Sequence, residues 1–194
     1  MNEAGFTNKT FRFLKDLERN NNKTWFHSHK STFVEHLQEP FEALFADVSQ
    51  RLESTDTPFE GSRRTMFRMN RDVRFSEDKS PYKTSLSGLL TRSGLKKQTE
   101  ALMYVQLDAQ GGFAAAGYYR LSPKELLPLR REMTERPDGF LDAVASLATK
   151  GLHLEEGGSL KRLPKGFSGY EGHGLEPFLK RKSFIVRDGL DQRQ

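Results

Sequence analysis

A chain of 194 residues with 35% hydrophobic side chains and 15 Phe has enough apolar matter for a core of its own, since a protein of this size hides roughly 70% of its unfolded surface. It contains no Cys, which excludes disulfides, thiolate-bound zinc, iron–sulfur clusters and thiol nucleophiles together. The mean hydropathy of −0.71 and the lack of a long apolar run argue against a membrane span or a signal segment, so the cytoplasm is the expected compartment.

Thr7 reads as the N-cap of a first helix, with Phe6 and Phe11 as a hydrophobic staple and Phe11, Leu14 and Leu17 on one face. Asn20-Asn21-Asn22 ends it, because Asn tolerates the left-handed conformation at a helix end. A second helix is expected from Asn22 to Thr24 onward, carrying Phe26, Phe33 and Leu37. Pro40 marks a break or the first turn of a third helix, whose stripe is Phe41, Leu44, Phe45, Val48 and Leu52. The pattern then shortens to period two: Phe67, Met69, Val73 and Phe75 predict a strand, and Tyr82 to Leu90 another.

Leu102 to Asp108 and Phe113 to Tyr119, joined through Gln110-Gly111-Gly112, predict a β-hairpin. The small residues Ala114 to Gly117 in its second arm predict close packing over that strand. Ser122-Pro123-Lys124-Glu125 opens a helix bearing Leu126, Leu129 and Met133. Another helix runs near Phe140 to Ala148 and stops at Gly151; a short one follows near Leu175 to Leu179, and Phe184-Ile185-Val186 predicts a last strand. With no repeat or low-complexity linker, residues 1–194 are expected to form a single α+β domain, an antiparallel sheet with N-terminal and further helices packed against it.

The net charge of +5 is unevenly spread. The basic excess lies in residues 61–84 and in the tail from residue 157, which favours an anionic partner. Arg71-Asp72-Val73-Arg74-Phe75-Ser76-Glu77-Asp78-Lys79-Ser80-Pro81-Tyr82-Lys83 concentrates four cations, three carboxylates and a tyrosine where a strand should end in a loop. Arg forks a phosphate or carboxylate and Lys adds point charge, so Arg71, Arg74, Lys79 and Lys83 are the candidate anion ligands. Arg68 and Tyr82 are expected to assist, and Asp72 and Asp78 to orient the cations. Asn20 to Lys30, with Asn21, Asn22, Trp25, His27 and His29, is a second candidate at a helix start.

Metal and nucleophile signatures fail. His27 and His29 face apart on a helix, and Ser76 lacks both an activating His and a Gly-x-Ser-x-Gly setting. Gly111-Gly112 lies in a hairpin and lacks the Lys-Ser/Thr of a phosphate loop. No resident cofactor or metal is expected, only weak Mg²⁺ arriving with a phosphate ligand.

The central segment resembles the signature of the bacterial and fungal family built on domain of unknown function 2461, Arg-Asp-x-Arg-Phe-Ser-x-Asp-Lys-x-Pro-Tyr-Lys, at every specified position of Arg71 to Lys83. Phe13-Leu14, Leu17, Asn20-Asn21, Trp25-Phe26 and Lys30 are similar to the family's N-terminal mark. Leu160-Arg162-Pro164-Gly166-Phe167 and Lys180 to Phe184 are similar to its tail. Asn70 and Phe33 stand where Tyr is frequent. The resemblance spans about residues 6–187, implies one α+β domain, and brings no activity with it.

Three readings follow. The first is a protein that binds a small phosphate- or carboxylate-bearing ligand at the Arg71–Lys83 loop. The second is weak nucleic-acid association through the loop and the basic tail, Lys161-Arg162, Lys165 and Lys180-Arg181-Lys182. The third is a structural or partner-binding module whose loop is an ion-pair network. A pocket at the loop favours the first, a flat basic stripe reaching Lys180 the second, and fully paired Arg and Asp side chains the third.

Overall fold

In the computed structural model, which describes residues 5–97 and 101–191, the chain enters α1 (Asn8–Arg19) through a reciprocal cap. The Thr7 hydroxyl accepts the Lys9 N–H, and the Thr10 hydroxyl accepts the Thr7 N–H at 3.1 Å, satisfying donors that the first turn leaves free. The helix buries Phe13, Leu14 and Leu17. Phe11 stays half-buried, and Phe6 packs on Phe41. Asn22 caps α2 (Lys23–Ser28) by accepting the Trp25 N–H at 2.9 Å. The next helical run is α3 (Lys30–Phe33), a π-helical turn at Val34–Gln38, then α4 (Glu39–Leu52). Pro40 therefore lies in the first turn of α4 without breaking the helical run, which passes from α3 through the π-helical turn into α4.

The strands β1 (Leu86–Thr91), β2 (Leu102–Asp108), β3 (Gly111–Tyr118) and β4 (Phe184–Asp191) form one four-stranded antiparallel sheet in the order β1-β2-β3-β4, so the fold is α+β as the sequence predicts. β1 and β2 pair from Leu86 opposite Leu107 to Thr91 opposite Leu102. The hairpin forms with a tighter turn than expected, Ala109-Gln110, where the Asp108 carboxylate accepts the Gln110 N–H at 3.0 Å. Ala114, Ala115 and Ala116 are only half-buried. The close approach at Gly117 comes from within the sheet: at φ +130°, a Cβ there would collide with the Phe184 carbonyl oxygen of β4.

Two expectations change. The stretch from Phe67 to Phe75 is not a strand; it makes one isolated bridge, Asn70 with Tyr82, after another just before it, Met66 with Gly88. Alternation ends because the backbone turns back on itself, the Arg71 N–H meeting the Pro81 carbonyl at 2.9 Å. For the same reason the following strand starts at Leu86, not Tyr82.

The described residues pack as two compact units. The first runs to residue 97, adds Leu102–Ala114 and takes the end of β4 from Gly189; the second holds Ala115–Asp188. In the first, α1 to α4 lie over β1 and β2, with Phe41, Phe45, Leu14 and Leu17 fully buried. In the second, Met133 of α5 (Pro123–Glu135) meets Phe167, Leu175 and Leu179. Ser122 and Glu125 form the reciprocal cap that starts α5. α6 (Pro137–Thr149) buries none of its side chains fully. Arg130 of α5 is only 4% exposed; its Nε donates to the Leu179 carbonyl at 2.8 Å and its Nη2 to that of Arg181 at 3.3 Å, capping the end of α7 (Glu176–Leu179).

Candidate anion-binding site

The loop 71–81 is clamped at its base. The Asn70–Tyr82 bridge is extended by the Lys83 N–H bonding to the Met69 carbonyl at 2.8 Å. Asn21, from the turn between α1 and α2, works on Tyr82 as a neighbouring strand would. Its Nδ2 donates to the Tyr82 carbonyl at 2.9 Å and its Oδ1 accepts the Tyr82 N–H at 3.1 Å. The Tyr82 ring is buried and stacks on Phe26 with centroids 4.1 Å apart, so this tyrosine serves the core.

Inside the loop both arginines pair with aspartates. The Arg71 guanidinium is bonded to the Asp78 carboxylate and donates to the Ser80 carbonyl at 3.1 Å and the Ser76 hydroxyl at 3.3 Å. Arg74 grips Asp72 with two parallel bonds, Nε to Oδ1 at 3.0 Å and Nη2 to Oδ2 at 2.7 Å. Asp78 also accepts the Ser80 N–H at 2.8 Å, and the Lys79 ammonium donates to the Val73 carbonyl at 3.1 Å. Hydrogen bonds from Ser80, then Arg71, hold the Asp78 carboxyl down at about 2. Bonding to Arg74 lowers Asp72, and the same bond raises Arg74. Arg71, Arg74, Asp72 and Asp78 are thus already satisfied by each other, as in the third reading. Phe75 is 96% exposed beside Arg74, whose guanidinium lies 5.8 Å from the ring centroid.

Next to this loop stand further cations to which, among the described residues, no carboxylate is bonded. Lys83 and Lys96 place their ammonium groups 5.2 Å and 5.5 Å from the Phe67 ring centroid. Burial first, then the positive charges of Arg68 and Lys96, push the Lys83 ammonium below the usual lysine range. Arg68 is exposed and, among the described residues, no carboxylate is bonded to it. Arg68 also lines a cavity of about 290 Å³, whose apolar lining includes Phe26, Phe33, Met66, Met69 and Leu86. Lys30 and Arg63 line it too, Arg63 lying 3.5 Å from Glu42. The lining stops at Asn70 and resumes at Leu86, so the Arg71–Lys83 loop borders the cavity without walling it.

Of the residues singled out from sequence, Arg68 and Lys83 stand with cationic neighbours, whereas Arg71, Arg74 and Lys79 are engaged inside the loop. Lys96 and Arg63 carried no signal, being ordinary surface cations in sequence; only their position gives them weight. Within Asn20 to Lys30, Asn21 clamps the loop, Asn22 caps α2, and Lys30 reaches the cavity. His29 stacks on Trp25 with centroids 4.2 Å apart. In the tail, Lys180 pairs with Glu176 at 2.9 Å, and Arg181 donates to the Glu155 and Ser183 carbonyls. Among the described residues, no three His, Asp or Glu side chains group as a metal would require, and no helix is long and apolar enough to cross a membrane.

Fold and site together define an α+β protein with a self-paired charged loop beside a cavity lined by cations and aromatic rings. Residues 9–194 match the family described as conserved hypothetical protein, DUF2461, and the chain belongs to that family. No curated protein and no solved structure matches it.

Proposed function

We propose that the protein binds a small phosphate- or carboxylate-bearing ligand, with Arg68 and Lys83 as its principal contacts and Lys96 beside them. The observation that carries this reading is the cluster around Phe67: two ammonium groups lie over one ring, Arg68 is close enough to act on Lys83, and among the described residues no carboxylate is bonded to any of the three, although the Arg68 charge is also felt at Asp72. Like charges gathered in a partly desolvated place are destabilising alone and are relieved by an anion. Arg71, Arg74, Asp72, Asp78 and Lys79 act behind this cluster as the braced loop that holds Lys83 in position, and Tyr82 anchors that loop in the core. Mg²⁺ would come with a phosphate ligand, since Asp72 and Asp78 already serve arginines.

Calorimetric titration with phosphate, sulfate and a panel of nucleotides and phosphosugars tests it. Binding by the wild type should weaken about tenfold in Arg68→Gln and in Lys83→Gln, the loss of one charge-assisted hydrogen bond each. A panel without any binder overturns the proposal. The pairing within the loop favours a second reading, a structural or partner-docking module that holds Phe75 out. It predicts that Arg71→Gln speeds exchange of the Ser80 amide while anion binding is nil in wild type and variant alike.

A further inference from the structure

We infer that the ligand is amphipathic: an anion joined to an aromatic or short hydrocarbon body that fills the cavity lined by Arg68. This rests on the anion reading and adds the chemistry of the rest of the molecule. A bare phosphate needs only the cations. The cavity offers more, because Phe26, Phe33, Met66, Met69 and Leu86 line it together with Gln38, Asn70 and the cations, and their apolar surface gains nothing from an inorganic ion. Its volume of about 290 Å³ suits a ring-sized body and is tight for a polymer or a long acyl chain.

Charge around it is one-sided. Arg63 is balanced by Glu42, leaving Lys30 and Arg68 as the net positive groups of the lining. The Lys30 ammonium lies 5.4 Å and 5.2 Å from the centroids of Phe26 and Phe33, so charge and aromatic lining are in direct register. Phe67 links this cavity to the Lys83–Lys96 cluster, since its ring belongs to both. A head group at Arg68 would therefore sit among cations while its body lies over Met66 and Met69. The N-terminal segment through Phe26 and Lys30 and the segment through Arg68 are distant in sequence, yet both serve this one concavity.

The probes are inorganic phosphate, phenyl phosphate and phenol, titrated into the full chain with methyl-labelled methionine. The chain has five Met; Met66 and Met69 line this cavity, whereas Met133 lines a different, more apolar one in the second unit. Phenyl phosphate should bind at least about tenfold more tightly than phosphate, the gain expected from burying most of a ring. It should shift the Met66 and Met69 methyl signals by ring current and leave Met133 still. Lys30→Met, which keeps the stem over Phe26 and Phe33 and removes the charge, should weaken phenyl phosphate about tenfold while phenol stays a poor ligand. Equal binding of phosphate and phenyl phosphate overturns the amphipathic ligand and leaves the anion site standing. Absence of both overturns the two together. Phenol binding as well as phenyl phosphate, or shifts confined to Met133, overturns the inference.

Discussion

Asn21 is the residue whose removal tests how the charged loop is held. Its side chain replaces a strand: one hydrogen bond to the Tyr82 carbonyl at 2.9 Å and one from the Tyr82 N–H at 3.1 Å, both partly buried. Asn21→Ala deletes both and leaves a backbone donor and acceptor at Tyr82 without that partner. At a net 0.5–1.5 kcal/mol for each bond, the expected loss is about 2 kcal/mol, a sizeable part of the 5–15 kcal/mol that holds a typical domain together. Urea denaturation should show the midpoint falling with an unchanged slope, because the surface exposed on unfolding is the same. Amide exchange adds the local readout: Tyr82 and Lys83 should exchange faster. Asn22→Ala is the control, since it removes only the cap of α2, at about 1 kcal/mol, and should leave the Tyr82 amide as protected as before. If Asn21→Ala costs less than about 0.5 kcal/mol and the Tyr82 amide is undisturbed, the clamp is not what orders the loop.

Three further outcomes are expected. Lys83 is depressed in the fold relative to the usual 10.5, so between the two values the unfolded chain binds more protons and this group's contribution to stability rises with pH; Arg68→Gln should move its NMR-measured titration upward, bound phosphate should do the same, and an unmoved value would remove Arg68 from the cluster. Asp78 should titrate at about 2 by carboxyl carbon shifts, its stabilising bonds present above the ordinary 3.8 and lost as pH falls through the lower value; Arg71→Gln should bring the midpoint part of the way back, the Ser80 bonds accounting for the remainder. Arg130→Met should destabilise the protein by about 2–4 kcal/mol in denaturant melts, because the Leu179 and Arg181 carbonyls lose a charged donor in a buried place; a change within about 0.5 kcal/mol, ordinary for a surface substitution, would mean water caps α7 equally well.

Local chemistry was legible without a structure wherever neighbours in sequence settle it. Thr7, Asn22 and Ser122 cap helices because their hydroxyl or amide oxygens reach an N–H two or three residues on, and Asp108 tightens its turn in the same way. The α+β class, the hairpin and the place of the charged loop are of this kind. Period two misled at Phe67 to Phe75, since alternation reports a strand only where a partner strand continues, and here Arg71 turns back onto Pro81.

What each cation does was decided by the tertiary structure alone. Composition counts Arg68, Arg71, Arg74, Lys79 and Lys83 as equals, yet Coulomb and hydrogen-bond energies depend on distance and direction. Arg71 and Arg74 find carboxylates within the loop's own turn, while Lys83 feels the charges of Arg68 and Lys96, and among the described residues no carboxylate is bonded to Arg68 or Lys83. Phe75 and Phe26 are the same residue type, one almost wholly in solvent and the other under Tyr82. The sequence by itself determined where charge and aromatic groups are concentrated. Folding, by closing distances between residues far apart in the chain, determined which of them are paired within the charged loop or packed in the core and which stand beside it.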